Sequence, residues 1–376
     1  QYKAAFDDLM VGLRSGNNSQ IRQGLQETAA LQQQFGSEVL PGKAKLESEL
    51  FYNRSHLFSW MMVPLLGCFV VFMGLFLWNL FRNQGAKFSF RNPIYSLAVA
   101  VYTLSFAGMI TAYTLRWIAS GRAPLSNGHE SLLFISLAAA LAGLIFELIF
   151  RLAAPGGLAS FLTVLILGVS MLSVFDPAIG PLVPVLVSYW LNIHVTIITA
   201  SYAFLGLSFM TGLLILILMI VRGLSKPASQ DNLDQSIRTL DKINFWVLAV
   251  GLGTLTVGTL LGGVWANESW GRYWGWDPKE TWSLVTILMA AIGMHFRYIP
   301  AMRGIWINSM WTWITFNSVI MTYFGVNYFL VGLHSYASGD AAKVPGWVHI
   351  FTAVMALLML VSGLFNLSYR GKKVTS

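Results

Sequence analysis

Nine apolar runs of about twenty residues constrain this chain more than any other feature. They fall at about 57–81, 94–116, 131–150, 157–175, 188–221, 243–264, 281–298, 305–328 and 347–368, separated by connections rich in Gly, Pro and charge. A helix rises about 1.5 Å per residue, so roughly 20 residues cross a hydrocarbon core about 30 Å thick. Only 11% of the residues are charged and mean hydropathy is +0.62, whereas about a quarter are charged in an ordinary soluble domain. The pattern predicts an all-α polytopic membrane bundle of about nine transmembrane helices.

Residues 1–55 are polar by contrast. They read as two or three short amphipathic helices, broken near Gly16-Asn17 and Leu40-Pro41-Gly42. The chain thus divides into a helical segment, 1–55, and a membrane domain, 56–376. It starts at Gln1 rather than Met, which reads as a piece of a longer product. Its single cysteine, Cys68, excludes an internal disulfide or a CxxC pair within these residues.

The +8 charge is spread over the connections, which argues for a topology signal rather than nucleic acid. One alternate set of connections holds 13 Lys and Arg: Arg82, Lys87, Arg91, Arg151, Arg222, Lys226, Arg238, Lys242, Arg297, Arg303, Arg370, Lys372 and Lys373. The other set, leaving aside 1–55, holds 5: Arg116, Arg122, Arg272, Lys279 and Lys343. The positive-inside rule makes the richer set cytoplasmic. The N-terminal segment and the loop at 265–280 then face outward, and the C-terminus faces inward.

That outer loop contains "WGRYWGWDPKETW", residues 270–282. Asp277 suits an N-cap, Pro278 the first helical position, and Glu280 the far end of a capping box. Above this helix start stand Trp270, Tyr273, Trp274 and Trp276, with Gly271 and Gly275 allowing close approach. Tryptophans anchor many membrane interfaces. Four aromatics in seven residues also fit a flat ligand face, since binding sites favour aromatic linings.

Counting along helices sets the depth of the histidines. His194 lies 28 residues before Arg222, roughly 42 Å, and His334 lies 31 residues after Arg303, roughly 46 Å. Both distances exceed the core, so both histidines reach the outer rim at the level of the aromatic loop. Two imidazoles beside an aromatic surface suit an iron porphyrin. His295, 18 residues past Asp277 and roughly 27 Å deeper, lies near the inner boundary, where it is either an interfacial residue beside Arg297 or a functional group. His56 and His349 read as interfacial, and His129 as interfacial or a spare outer ligand.

These residues resemble a known family. Trp270, Gly271, Trp274, Trp276, Asp277 and Glu280 fit the "WGxxWxWDxxE" pattern of the WWD haem-handling proteins. "YWLNIHV", "FLVGLHSY" and "MHFRY" resemble that family's histidine segments. "PLSNGHES" resembles its outer loop, where a Tyr more usually holds the His129 position. Together they resemble the CcsA or ResC half of System II cytochrome c synthetases, over roughly 47–370. "ESELFYNRSHLF" resembles the segment that joins this half to a CcsB partner in natural fusions.

The resemblance implies a lyase of the bacterial inner membrane that joins haem to CxxCH cysteines of apocytochrome c through thioethers. It implies His194 and His334 as axial ligands of an outer haem b, with Trp270, Trp274, Trp276 and Asp277 at its face and edge. His295 becomes one ligand of an inner haem, its partner lying in the CcsB half. Arg272 and Lys279 are candidate propionate partners, although Glu268, Asp277 and Glu280 compete for them. A separate protein must supply thiol reduction. Two other readings stay open: a WWD-type haem exporter or chaperone that forms no thioether, and a structural membrane subunit with anchoring tryptophans.

Overall fold

The computed structural model describes residues 2–82, 87–180, 188–333 and 346–374. Every regular element among them is helical. The polar start forms α1 (Tyr2–Ser15), α2 (Asn18–Gly36) and α3 (Lys43–Ser55). Asn17 caps α2 by accepting from Ser19 N and Gln20 N, as a short amide at N-cap should.

Helices α4 (Leu57–Phe81), α5 (Pro93–Ser120) and α6 (Gly128–Phe150) follow. Then come α7 (Ala154–Ser170), α8 (Tyr189–Leu224), α9 (Pro227–Trp270) and α10 (Pro278–His295). The helix α11 (Ile305–Ile320) runs through a π turn, Met321–Gly325, into α12 (Val326–Phe329). The last helix is α13 (Gly346–Val374).

Nine spans were expected. Among the described residues six helices are individually long and apolar enough to cross: α4, α5, α6, α8, most of α9 and most of α13. The apolar α7 has 17 residues. The helix α10 has 18, but its first turn carries Lys279 and Glu280. The eighth run is one rod whose ladder is broken by the π turn. The helices α7 and α11, at 17 and 16 residues, fall short in length, and α10 is less apolar because its ends carry Lys279, Glu280 and His295.

Helices α8 and α9 have 36 and 44 residues, or about 54 and 66 Å of rise, so they project well beyond a bilayer core. They pack along each other; α6, α7, α11 and α13 pack on α8, and α10 packs on α9 and α11. On α9, Gly258 and Gly262 permit this approach: a Cβ on Gly258 would lie 2.9 Å from Ile198 N. Small residues four apart are the usual device for close contact between membrane helices. Cys68 is buried in α4.

Candidate functional site: an aromatic cavity with an oriented histidine

At the N-terminal end of α8 and the C-terminal end of α9 lies a cavity of about 320 Å³. Its walls come from α8 (His194, Ile198, Tyr202), α9 (Thr259, Gly262, Trp265), the 270–274 loop, the first turns of α10, the start of α6, and the π-turn region.

His194 is held in one orientation. Its Nδ1 lies 2.7 Å from the carbonyl oxygen of Gly258. A carbonyl can only accept, so Nδ1 carries the proton and the ligand lone pair falls on Nε2. Its ring lies nearly parallel to Trp265, at 8° and 6.2 Å between centroids. The adjoining Gly262 leaves room for the ring: a Cβ there would stand 2.6 Å from His194 Cε1. A backbone carbonyl orienting a histidine in this way is a common support for a metal ligand.

The aromatic loop is not a single plate. Trp270 packs edge-on against Trp265 at 4.8 Å, and Trp274 against Trp276 at 5.8 Å. Trp270, Tyr273 and Trp274 line the cavity, whereas Trp276, 71% exposed, packs on Trp274 and is not part of the lining. Edge-to-face pairing is the ring geometry favoured by the aromatic quadrupole. Gly271 ends α9 in the left-handed region at φ 69°, and Trp276 takes φ 57°. That conformation strains a bulky residue by about 1 kcal/mol or more. Here one carboxylate oxygen of Glu280 accepts from both flanking amides, Gly275 N at 2.8 Å and Asp277 N at 3.2 Å, and grips the turn.

The capping box expected from "DPKE" is present. Asp277 is buried, its Oδ1 accepting from Lys279 N at 3.0 Å and its Oδ2 from Leu333 N at 2.7 Å. Its carboxylate therefore starts α10 and also ties the chain just before residue 334 to the loop. Lys279 lines the cavity and donates from Nζ to Asn327 Oδ1 at 3.2 Å. Arg272 lies over Gly275, where a Cβ would stand 2.6 Å from its guanidinium carbon, and is not part of the lining.

Among the hydrogen-bonding atoms of the lining, Trp274 Nε1 and Thr259 Oγ1 are buried without a hydrogen-bond partner. Leaving a buried polar group unmade costs roughly 1–3 kcal/mol, so such atoms in a cavity point to a polar ligand.

A buried ion cluster supports the opposite wall. Glu130 accepts from Arg116 Nη2 at 3.0 Å, Arg122 Nη1 at 2.9 Å and Ser126 N at 2.9 Å, and both Arg116 and Glu130 are fully buried. Asn127 caps α6 through Glu130 N. Together they shape the 125–128 turn that lines the cavity. Tyr323, on the π turn, donates to Gly128 O at 2.9 Å, and Asn327 follows one turn later. His129 is buried, with Nδ1 2.8 Å from Ser170 O, and is not in the lining.

His334 lies outside the described residues, so the second expected axial ligand is known only as far as Leu333. His295 is the exposed last residue of α10, with Nδ1 2.7 Å from Ala291 O. No group of three His, Cys, Asp or Glu suited to a metal occurs among the described residues. Thr259, Gly262, Trp265, Tyr202, Tyr323 and Asn327 were not singled out from the sequence. A signal for α9 existed in "GTLLG", a G-x-x-x-G at 258–262.

These features define a class: a polytopic helical membrane protein with an aromatic, histidine-bearing cavity at one end of its bundle. The family described as Cytochrome C assembly protein matches residues 125–334. Protein NrfI of Wolinella succinogenes is 40% identical over 325 residues, which cover 85% of this chain and 34% of that protein. Cytochrome c biogenesis protein CcsA of Chlamydomonas reinhardtii is 36% identical, covering 61% of this chain and 65% of the relative. CcsA of Trieres chinensis is 30% identical over 69% of this chain and 98% of its own length. The chain belongs to this cytochrome c assembly family. It spans about a third of the first of these relatives and about two thirds of the second. In fold it is similar to the solved Cytochrome c Heme Lyase CcmF, with TM-score 0.53 and 15% identity over 88% of this chain and 53% of the other.

Proposed function

We propose that the cavity holds haem b on the outer side of a bacterial inner membrane, as substrate for covalent attachment to the CxxCH cysteines of an apocytochrome c. The observation that carries this reading is His194, oriented by the Gly258 carbonyl and set beside Trp265 and the side-chain-free Gly262 in an aromatic cavity. Family membership and the names of the relatives above support it.

In this reading His194 Nε2 and His334 ligate the iron from its two faces. Trp265, Trp270, Tyr273 and Trp274 exclude water and fix the ring plane. Lys279, Thr259 and Trp274 Nε1 offer donors to the propionates, with Arg272 nearer the loop surface. Gly271, Trp276, Asp277 and Glu280 serve chiefly to shape the loop.

Haem supplies two vinyl groups. Each cysteine sulfur bonds one vinyl carbon and its proton ends on the other, so no oxidant is consumed. Holding the vinyl edges still for an incoming thiol pair lowers the barrier through orientation. A separate protein keeps the thiols reduced, and a CcsB-type half completes an inner haem site that uses His295.

Co-expression with a CxxCH reporter tests the proposal. Wild-type protein should purify with haem and yield covalent cytochrome. His194→Gly should lose both, and added imidazole should restore haem. Haem retained without reporter attachment would instead identify a haem exporter or chaperone, and a haem-free wild type would leave a structural subunit.

A further inference from the structure

The opposite end of the bundle carries a second cavity, of about 210 Å³. Arg222 on its wall lies 28 residues along α8 from His194, roughly 42 Å away. Four helices meet there. The lining holds Arg222, Arg238 and Arg303 with Asp234 as its one acidic residue, and Met219, Ile237, Ile305 and Phe365 supply apolar surface.

Two of its cations are held by contacts within the protein, and the third, Arg238, is exposed on the lining. Arg222 grips Asp234 through Nε on Oδ1 and Nη2 on Oδ2 at 3.1 Å. Arg303 is steered by its Nε, which donates to Arg297 O at 2.9 Å. Three arginines against one aspartate leave a lining charge of +2. Planar guanidiniums are matched to phosphate oxygens. Around the cavity the outer surface is apolar: Ile217, Leu224 and Leu364 are all exposed. The helix α13, which supplies Phe365, is 11% buried over its apolar window. The cavity therefore joins a cationic recess to a surface suited to acyl chains.

We propose that this recess binds the phosphate headgroup of an anionic phospholipid from the adjacent leaflet, with its acyl chains lying along α8 and α13. Arg238 and Arg303 meet the phosphate, and the Arg222–Asp234 pair braces the wall behind it.

The test uses the whole chain in nanodiscs of phosphatidylglycerol or phosphatidylcholine, read by native mass spectrometry after release and by thermal unfolding. The wild type should retain phosphatidylglycerol in preference to phosphatidylcholine by about tenfold or more, in keeping with about 1 kcal/mol per basic residue near an anionic headgroup. Arg238→Gln with Arg303→Gln should abolish that preference. Arg82→Gln with Arg91→Gln, which removes the same charge elsewhere on the same side, should keep it. Equal loss in the two double variants would reduce the recess to bulk surface charge and overturn the site. Inorganic phosphate alone matching the stabilisation by lipid would overturn the lipid as occupant. A double variant that unfolds is replaced by Arg238→Lys with Arg303→Lys, which should weaken the preference while keeping the fold. Undiminished preference there and in Arg303→Gln alone would also overturn the proposal.

Discussion

At the scale of single residues, Asp277 shows how a motif position can carry an unexpected role. Both carboxylate oxygens are used within the protein, one at the α10 start and one on Leu333 N. Asp277→Asn keeps the cap, because Asn serves equally well at N-cap, but loses the second acceptor. Hydrogen exchange at Leu333 should rise while Lys279 and Thr281 stay protected; unchanged exchange at Leu333 would refute the tether. Glu130 is the complementary case. Glu130→Leu leaves Arg116 buried without its counter-charge, which costs roughly 3–5 kcal/mol in comparable pairs. The midpoint of thermal unfolding should fall sharply, and an unchanged midpoint would show that the cluster adds nothing to stability.

At the scale of elements, the crossing of α8 on α9 sets the position of the histidine. Gly262→Ala places a methyl against the imidazole, so the ring must turn and break its bond to the Gly258 carbonyl. Haem retention should fall about tenfold or more, the usual size of a lost supporting contact, with little change in unfolding midpoint. Gly253→Ala, where a Cβ meets nothing within 4 Å, should retain haem normally. Equal retention in both variants would remove Gly262 from the site. The GxxxG spacing was visible in the sequence. Its meaning was not, because the partner that needs the space lies 68 residues earlier, and no local pattern announces which helix it meets.

At the scale of the molecule, the uneven lysine and arginine count predicts the cavity outside and the arginine recess inside. Cys68 is buried, so single cysteines can be introduced over a quiet background. Tyr273→Cys should react with an impermeant maleimide in intact spheroplasts, and Leu224→Cys only after permeabilisation, both side chains being exposed. The reverse pattern would invert the orientation.

How much was legible follows the range of each interaction. Helical class, the apolar runs, the α10 capping box and the shared level of His194 and the aromatic loop rest on neighbours along one chain. Periodicity, hydropathy and rise per residue report those, so the sequence by itself determined them. Three of the expected spans are shorter or more polar at their ends than the six long apolar helices, because helix ends and the π turn are set by caps and contacts that hydropathy does not report. The pairing of the tryptophans, the exposure of Trp276, the Asp277 tether and the buried Glu130 cluster depend on contacts between distant segments. Only the tertiary structure decided those, because hydrogen bonds and ring packing act over a few ångströms in space, whatever the separation in sequence.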